Sequence, residues 1–228
     1  MKHSVSNLEM CVLAIASIVL ISSVIPNDWH GQAVILRDIV LMTWFIHIVN
    51  WAICQGSLNQ LLGIYPRRLE GLPGILVAHF LHGWGQDDSE KRHLFENTFG
   101  FLVLGWFILL QGTQVFYIVT AAVAIASGIG TWIFGRAFPP HVGASGVTYG
   151  YLGFVLAYGI TAGNALAFLL SIIVGLLYGR LIPGILPDSD HPYTSWEMHL
   201  FGFMGGMLTA FILSEAALNS PPLYSVPT

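Results

Sequence analysis

An all-α membrane protein of six or seven spanning helices is the architecture this sequence predicts. Three observations carry that expectation. Of the 228 residues, 55% are hydrophobic and only 9% are charged. A soluble domain needs about 25% charged residues to keep its surface solvated, so the solvent of this chain is mostly lipid. The mean hydropathy is +0.71, and the apolar residues fall in long runs without strict alternation, which excludes barrel strands. Helices and closed barrels are the only structures that satisfy every backbone group inside a bilayer, so the runs are helices.

The elements follow in chain order. Residues 10–25 form an apolar run behind Lys2 and His3, and no small-x-small cleavage site follows. That run is therefore expected as a retained helix rather than a removed signal peptide. Further spans are expected at 39–57, 94–110, 114–134, 145–160, 166–181 and 196–213, each near the ~20 residues that cross the hydrocarbon. Turn-forming residues separate them: Gln111-Gly112-Thr113, Pro139-Pro140, Thr161 to Asn164, and the stretch from Pro183 to Pro192. One long polar connection, 63–92, holds Pro66-Arg67-Arg68, a short apolar stretch at 75–81 and a charged patch at 87–92. No internal repeat or second domain is visible. The division expected is an N-terminal segment at 1–32, a membrane domain at 33–216 and a short tail at 217–228.

Several function classes are disfavoured at once. A net charge of −4 without a basic run does not suit nucleic acid, which needs clustered Lys and Arg. Cys11 and Cys54 both lie in apolar stretches, as buried thiols do, so neither a disulfide framework nor a thiolate metal site is expected. No His-Glu-x-x-His occurs, which disfavours a zinc peptidase, and neither metal nor cofactor is expected.

Polar groups inside spans are costly and are functional candidates by default. Four groups stand out: His79 with His82, His93 with Asn97, Ser145 within Gly143-Ala144-Ser145-Gly146, and His199. If successive spans alternate in direction, His93, Asn97, Ser145 and His199 all sit near the first turns of helices that descend from one face. Covalent catalysis needs such convergence. A serine hydroxyl is a weak nucleophile until a base takes its proton, and histidine is the side chain suited to that near neutral pH. The developing oxyanion needs donors; the free N–H groups at the Ser145 helix start, the Asn97 amide and the His93 ring could supply them. Positions 93 and 97 share a helical face. Glu197 lies only two residues before His199 and so points elsewhere; with Trp196 it is read as an anchor of the helix start at the interface.

These residues together resemble the rhomboid intramembrane serine proteases, over about two-thirds of the chain, 64–213, and in the right order. Gly143-Ala144-Ser145-Gly146 is similar to that family's nucleophile motif, which implies Ser145 as nucleophile. Tyr149 stands where the family has the tyrosine on which its catalytic histidine packs. His199 with Gly202 and Gly206 is similar to the family's His-x-x-Gly-x-x-x-Gly pattern, implying His199 as general base and glycines that let the last helix press on the serine helix. His93 and Asn97 are similar to the His-x-x-x-Asn pair of the oxyanion hole, and Phe80-Leu81-His82-Gly83 resembles the segment before it. The resemblance implies a six-helix bundle, with 10–25 as one extra N-terminal transmembrane helix. It further implies a Ser-His dyad cleaving transmembrane segments of membrane proteins, no cofactor, and a multi-pass protein in a bacterial inner membrane, in contact with its lipids. Three features depart from the pattern: Pro66-Arg67-Arg68 stands in the area of the family's Trp-Arg, residues 86–92 lengthen the spacing between His82 and His93, and the 10–25 span is additional.

Charge complicates the orientation. Arg67, Arg68, Lys91, Arg92, Arg136 and Arg180 fall on the face of the candidate site, which by the positive-inside rule belongs in the cytoplasm. The resemblance implies a site open to the outside. Two other readings compete with proteolysis. A catalytically inactive rhomboid-like binder would hold membrane helices without cutting them, and a transporter would use His79, His82, His93 and His199 as an ion path. The first predicts loss of the serine or histidine, and the second needs paired intramembrane carboxylates.

Overall fold

Six long helices, three short connecting segments of 3-10 helix and two short α-helices make up the described part of the chain. The computed structural model describes residues 27–83, 88–137, 139–188 and 194–219; the span expected at 10–25 lies outside them. The long helices are α1 (Asn27–Ala52), α4 (Asp88–Leu109), α5 (Thr113–Phe134), α6 (Ser145–Thr161), α7 (Ala165–Tyr178) and α8 (Trp196–Asn219). The connection between α1 and α4 contains the short helices α2 (Ser57–Leu62) and α3 (Gly74–Val77). Among the described residues, four segments are long and apolar enough to cross a membrane: Trp29–Ala52, Thr113–Phe134, Ala165–Ile185 and Trp196–Ala216. The molecule is thus an all-α membrane bundle.

Three expected boundaries are corrected. The first span of the bundle begins at Asn27, not at 39, and ends at Ala52, not at 57. Arg37 and Asp38 interrupt the apolar run and hide its continuity. In the fold they pair with each other at 2.7 Å, which reduces the cost of carrying both on a membrane helix. Past Ala52 the chain turns through Gln55 and Gly56, both at positive φ, before Ser57 opens α2. The charged stretch before position 94 is also not loop, because α4 starts at Asp88. Asp, Glu, Lys and Arg are unwelcome in lipid, but all except Asp are good helix formers, so the helix continues through them.

Close approaches give the helix directions. Gly100 meets Thr148 and Gly105 meets Tyr151, so α4 and α6 run parallel. Gly146 and Gly150 of α6 meet Gly202 and Gly206 of α8, so these too are parallel. Thr120 bonds Tyr151 at 2.6 Å while Ser127 lies against Gly146, which sets α5 antiparallel to both neighbours. Tyr149 reaches Leu181 while Gly159 meets Ser171, so α7 is antiparallel to α6. The first residues of α6 and α8 therefore lie at one end of the bundle, together with the N-terminal half of α4.

Helix α6 is the axis, packed on α4, α5, α7 and α8. Tyr151, Leu152 and Phe154 on it are fully buried, among Trp44, Leu104, Ile108, Phe116, Val119 and Val123. Its 17 residues extend only about 25 Å at 1.5 Å each, less than the ~30 Å hydrocarbon core. Its N-terminus, Ser145, is buried at 6% exposure. The outer helices turn large apolar residues outward, among them Ile125, Ile129 and Ile133 of α5, Phe168 and Leu176 of α7, and Leu208 and Phe211 of α8. A soluble monomer would not expose so continuous an apolar belt; here it is the lipid-facing surface.

Candidate functional site

The site is built on the loop that delivers the chain into α6. Gly143 has φ +128, a conformation that disfavours any side chain. Its N–H donates to the Ala78 carbonyl at 3.0 Å, and the next amide, Ala144 N–H, donates to His82 Nε2 at 3.4 Å. Both partners belong to the connection before α4. His82 is itself held by its carbonyl, which accepts from Asn59 Nδ2 at 2.8 Å, while Asn59 Oδ1 accepts from Asn50 Nδ2 at 2.9 Å. His79 donates through Nε2 to the Ala124 carbonyl at 3.0 Å. A polar chain from α1 to α5 thus fixes the approach to Ser145, and gives His79 and His82 structural partners there.

Ser145 opens α6, and Tyr149 stands one turn further on the same helix. The His199 ring lies flat on the Tyr149 ring, with centroids 4.0 Å apart and planes at 6°. Tyr149 is fixed from its other end, donating its hydroxyl to the Leu181 carbonyl at 3.0 Å. His199 Nδ1 lies 2.9 Å from the Gly184 carbonyl. A carbonyl can only accept, so Nδ1 carries the proton and Nε2 keeps its lone pair. Gly184 is a glycine for a reason of space, since a β-carbon there would overlap the Tyr149 hydroxyl. The backbone just ahead of His199 is pinned as well, by Ser127 Oγ donating to the Met198 carbonyl at 2.9 Å.

The glycines at 146, 202 and 206 meet backbone to backbone. A β-carbon at Gly202 would overlap the Gly146 carbonyl oxygen, and one at Gly206 the Gly150 carbonyl oxygen. Close backbone approach of this kind is how helices associate in lipid, where no hydrophobic force drives them together.

His93 and Asn97 lie deeper in α4 than the first turn expected for them, being its sixth and tenth residues. His93 is exposed, with its ring centroid 6.3 Å from that of His82. The space left by the missing side chain of Gly143 is bordered by His93 Nε2 at 3.6 Å and Ser145 Oγ at 3.7 Å. Asn97 is buried at 7% exposure, and its amide Nδ2 has no hydrogen-bond partner among the described residues. Asn97 also lines, with His82, Ala144, Phe101 and Thr120, a cavity of about 80 Å³. Its lining is mostly apolar, from Ile39, Val40, Leu76, Phe101 and Val147 among others, as in cavities that stay dry.

Sequence reasoning missed a polar cluster beside this loop. Glu197 is not an interface anchor: it is 1% exposed, and Arg136 Nε reaches its Oε1 at 2.8 Å. Arg136 also donates its backbone N–H to the same oxygen at 3.1 Å. The His141 ring, whose proton affinity burial pushes below the ordinary value, bonds the Arg136 carbonyl at 2.9 Å and the Ser195 hydroxyl. The available signal was the acidic residue itself, since a carboxylate at the start of an intramembrane helix calls for a named cation.

Comparison with known proteins agrees with this architecture. Residues 74–216 match the model of the Rhomboid domain. Uncharacterized proteins of Mycobacterium tuberculosis and Mycobacterium bovis are each 33% identical over 195 residues, covering 83% of this chain and 78% of theirs. An uncharacterized protein of Mycobacterium leprae is 34% identical over 211 residues, covering 86% of this chain and 80% of its own. The match spans most of the bundle, including α4, α6 and α8, and the chain belongs to the rhomboid family.

Proposed function

We propose that this protein is an intramembrane serine endopeptidase, with Ser145 as nucleophile and His199 as general base. It acts on transmembrane segments of other membrane proteins, from a bacterial plasma membrane. The observation that carries the reading is the stack of His199 on Tyr149. It sets the imidazole against the α6 face that begins with Ser145, while the Gly184 carbonyl holds the tautomer that leaves Nε2 basic. A backbone carbonyl thereby does the orienting that a carboxylate does in a triad.

The reaction follows from those positions. A substrate helix unwinds locally and presents a carbonyl carbon to Ser145 Oγ. His199 Nε2 takes the hydroxyl proton as the new C–O bond forms. The negative charge on the former carbonyl oxygen is met by the Ser145 backbone N–H, the Asn97 amide and the His93 ring. An Asn97 donor without a partner among the described residues is preorganised for an anion that exists only during reaction. The imidazolium then protonates the leaving amine, the C–N bond breaks, and water resolves the acyl-enzyme by the same steps. No cofactor or metal enters any step.

Cleavage of a single-span substrate by the protein reconstituted in phospholipid vesicles tests this, with product masses locating the scissile bond. Wild-type protein is expected to cut, and Ser145→Ala and His199→Ala to fall to the background rate. Retention of the substrate by the wild type without cleavage would instead identify an inactive membrane-protein binder.

A further inference from the structure

One helix interface in this bundle is built of glycine. Where α8 crosses α6, glycine meets glycine, and the side-chain ties across it are the Tyr149–His199 stack and, towards the other end, the Thr161–Ser214 hydroxyl pair at 2.7 Å. His199 rides on α8, and Ser145 begins α6, so a small rotation at that crossing alters their approach. A further tie joins the chain at the site end.

The polar cluster at the N-terminal ends of these helices closes a ring around that crossing. Arg136, two residues past α5, binds both carboxylate oxygens of Glu197, through Nε to Oε1 at 2.8 Å and Nη2 to Oε2 at 3.2 Å, and also the Thr194 carbonyl. Its own carbonyl accepts from His141 Nε2 at 2.9 Å, and the other ring nitrogen of His141 then accepts from the Ser195 hydroxyl. His141 is in turn fixed by a two-way backbone bridge to Ile64, both bonds at 3.0 Å. His141 lies four residues before Ser145; Ser195 and Glu197 lie four and two before His199. Both halves of the proposed dyad therefore leave from one ring.

We propose that Arg136 and Glu197, joined through His141 and Ser195, are positioning residues that set the rotation of α8 on α6 and so the approach of His199 to Ser145. The proposal rests on the serine-peptidase reading for its catalytic consequence, though not for its geometry. Glu197 is two residues from His199 and cannot contact the same substrate atoms. Nor is stability an adequate reason for the ring. A buried ion pair is often no more stabilising than apolar residues of the same volume, and the best-attested use of such groups is to specify register.

The test compares Glu197→Ala and Glu197→Gln with Val174→Ala, a cavity-making change in the buried wall of α7 that is remote from the ring. Glutamine can still accept from the Arg136 N–H groups, and alanine cannot. In vesicles, kcat of Glu197→Ala is expected to fall about 100-fold, the cost of roughly 1 Å of misplacement, with KM changed by less than about twofold. Glu197→Gln should recover about tenfold or more of that loss, while Val174→Ala lowers the unfolding temperature without changing kcat. Spin labels at the exposed positions Ile160 and Leu208, with Cys11 and Cys54 replaced by serine, should give a broader distance distribution in Glu197→Ala only.

Unchanged kcat and unchanged distances would overturn the inference, as would activity lost in proportion to unfolding temperature in all three variants. If Glu197→Ala does not fold, Ser195→Ala decides by the same two readouts, since it removes a single hydroxyl. A broadened distribution in a protein whose wild type does not cleave would sink the peptidase reading and leave the positioning role intact.

Discussion

Asn97 is the residue whose environment is least explicable by packing. A buried amide without a partner costs about 1–3 kcal/mol, yet Nδ2 has none among the described residues. Its removal should therefore separate function from stability. Asn97→Ala is expected to lower kcat about 100-fold, as loss of one oxyanion donor does, without lowering the unfolding temperature. An unchanged kcat with a lower unfolding temperature would make Asn97 a structural residue. Two residues of the proposed dyad were visible in the sequence, Ser145 in its glycine-flanked tetrapeptide and His199 with its trailing glycines. Gly184 was not visible, because its role is performed by a backbone carbonyl that any residue possesses.

At the scale of elements, the crossing of α6 and α8 decides what the bundle tolerates. Gly202→Val would drive a side chain into the Gly146 carbonyl, and overpacking of this sort costs about 1–3 kcal/mol. We expect a lower unfolding temperature and loss of cleavage. Gly175 on α7 is the contrast: a β-carbon there meets only Leu156 Cδ2 at 3.7 Å, an ordinary contact. Gly175→Ala should be neutral or stabilising, by up to about 1 kcal/mol of helix propensity. Thermal unfolding of both variants in detergent checks the pair, and equal tolerance at 202 and 175 would contradict the packing described. Most helices were legible from apolar run length, and the boundaries failed where charge interrupted it. Arg37 and Asp38 concealed nearly half of α1, and residues 88–92 concealed the start of α4, because hydropathy scores each residue alone and cannot register an ion pair or a helix that leaves the membrane.

For the whole molecule, the same limit explains the conflict over orientation. Counting Lys and Arg assigns the site face to the cytoplasm, but three of the arginines there have structural work. Arg67 donates to the carbonyls of Ile133 and Gly135 at the end of α5, at 2.9 and 3.0 Å. Arg68 lies 3.5 Å from Glu70, and Arg136 holds Glu197. These cations neutralise helix ends and carboxylates of the fold, so their number says less about topology than free charges would. The family was legible because its motifs fall on helices that the bundle brings to one end. The ring around Arg136 was not, because its members are separated by up to 61 positions and share no motif.

The central claim is that the Ser145 hydroxyl is activated by His199. Labelling with a fluorophosphonate, followed by mass analysis of the modified peptide, tests it most directly. One adduct is expected on Ser145, absent in Ser145→Ala and suppressed to background in His199→Ala. An adduct on another residue, or labelling of Ser145 that is indifferent to His199, would contradict it.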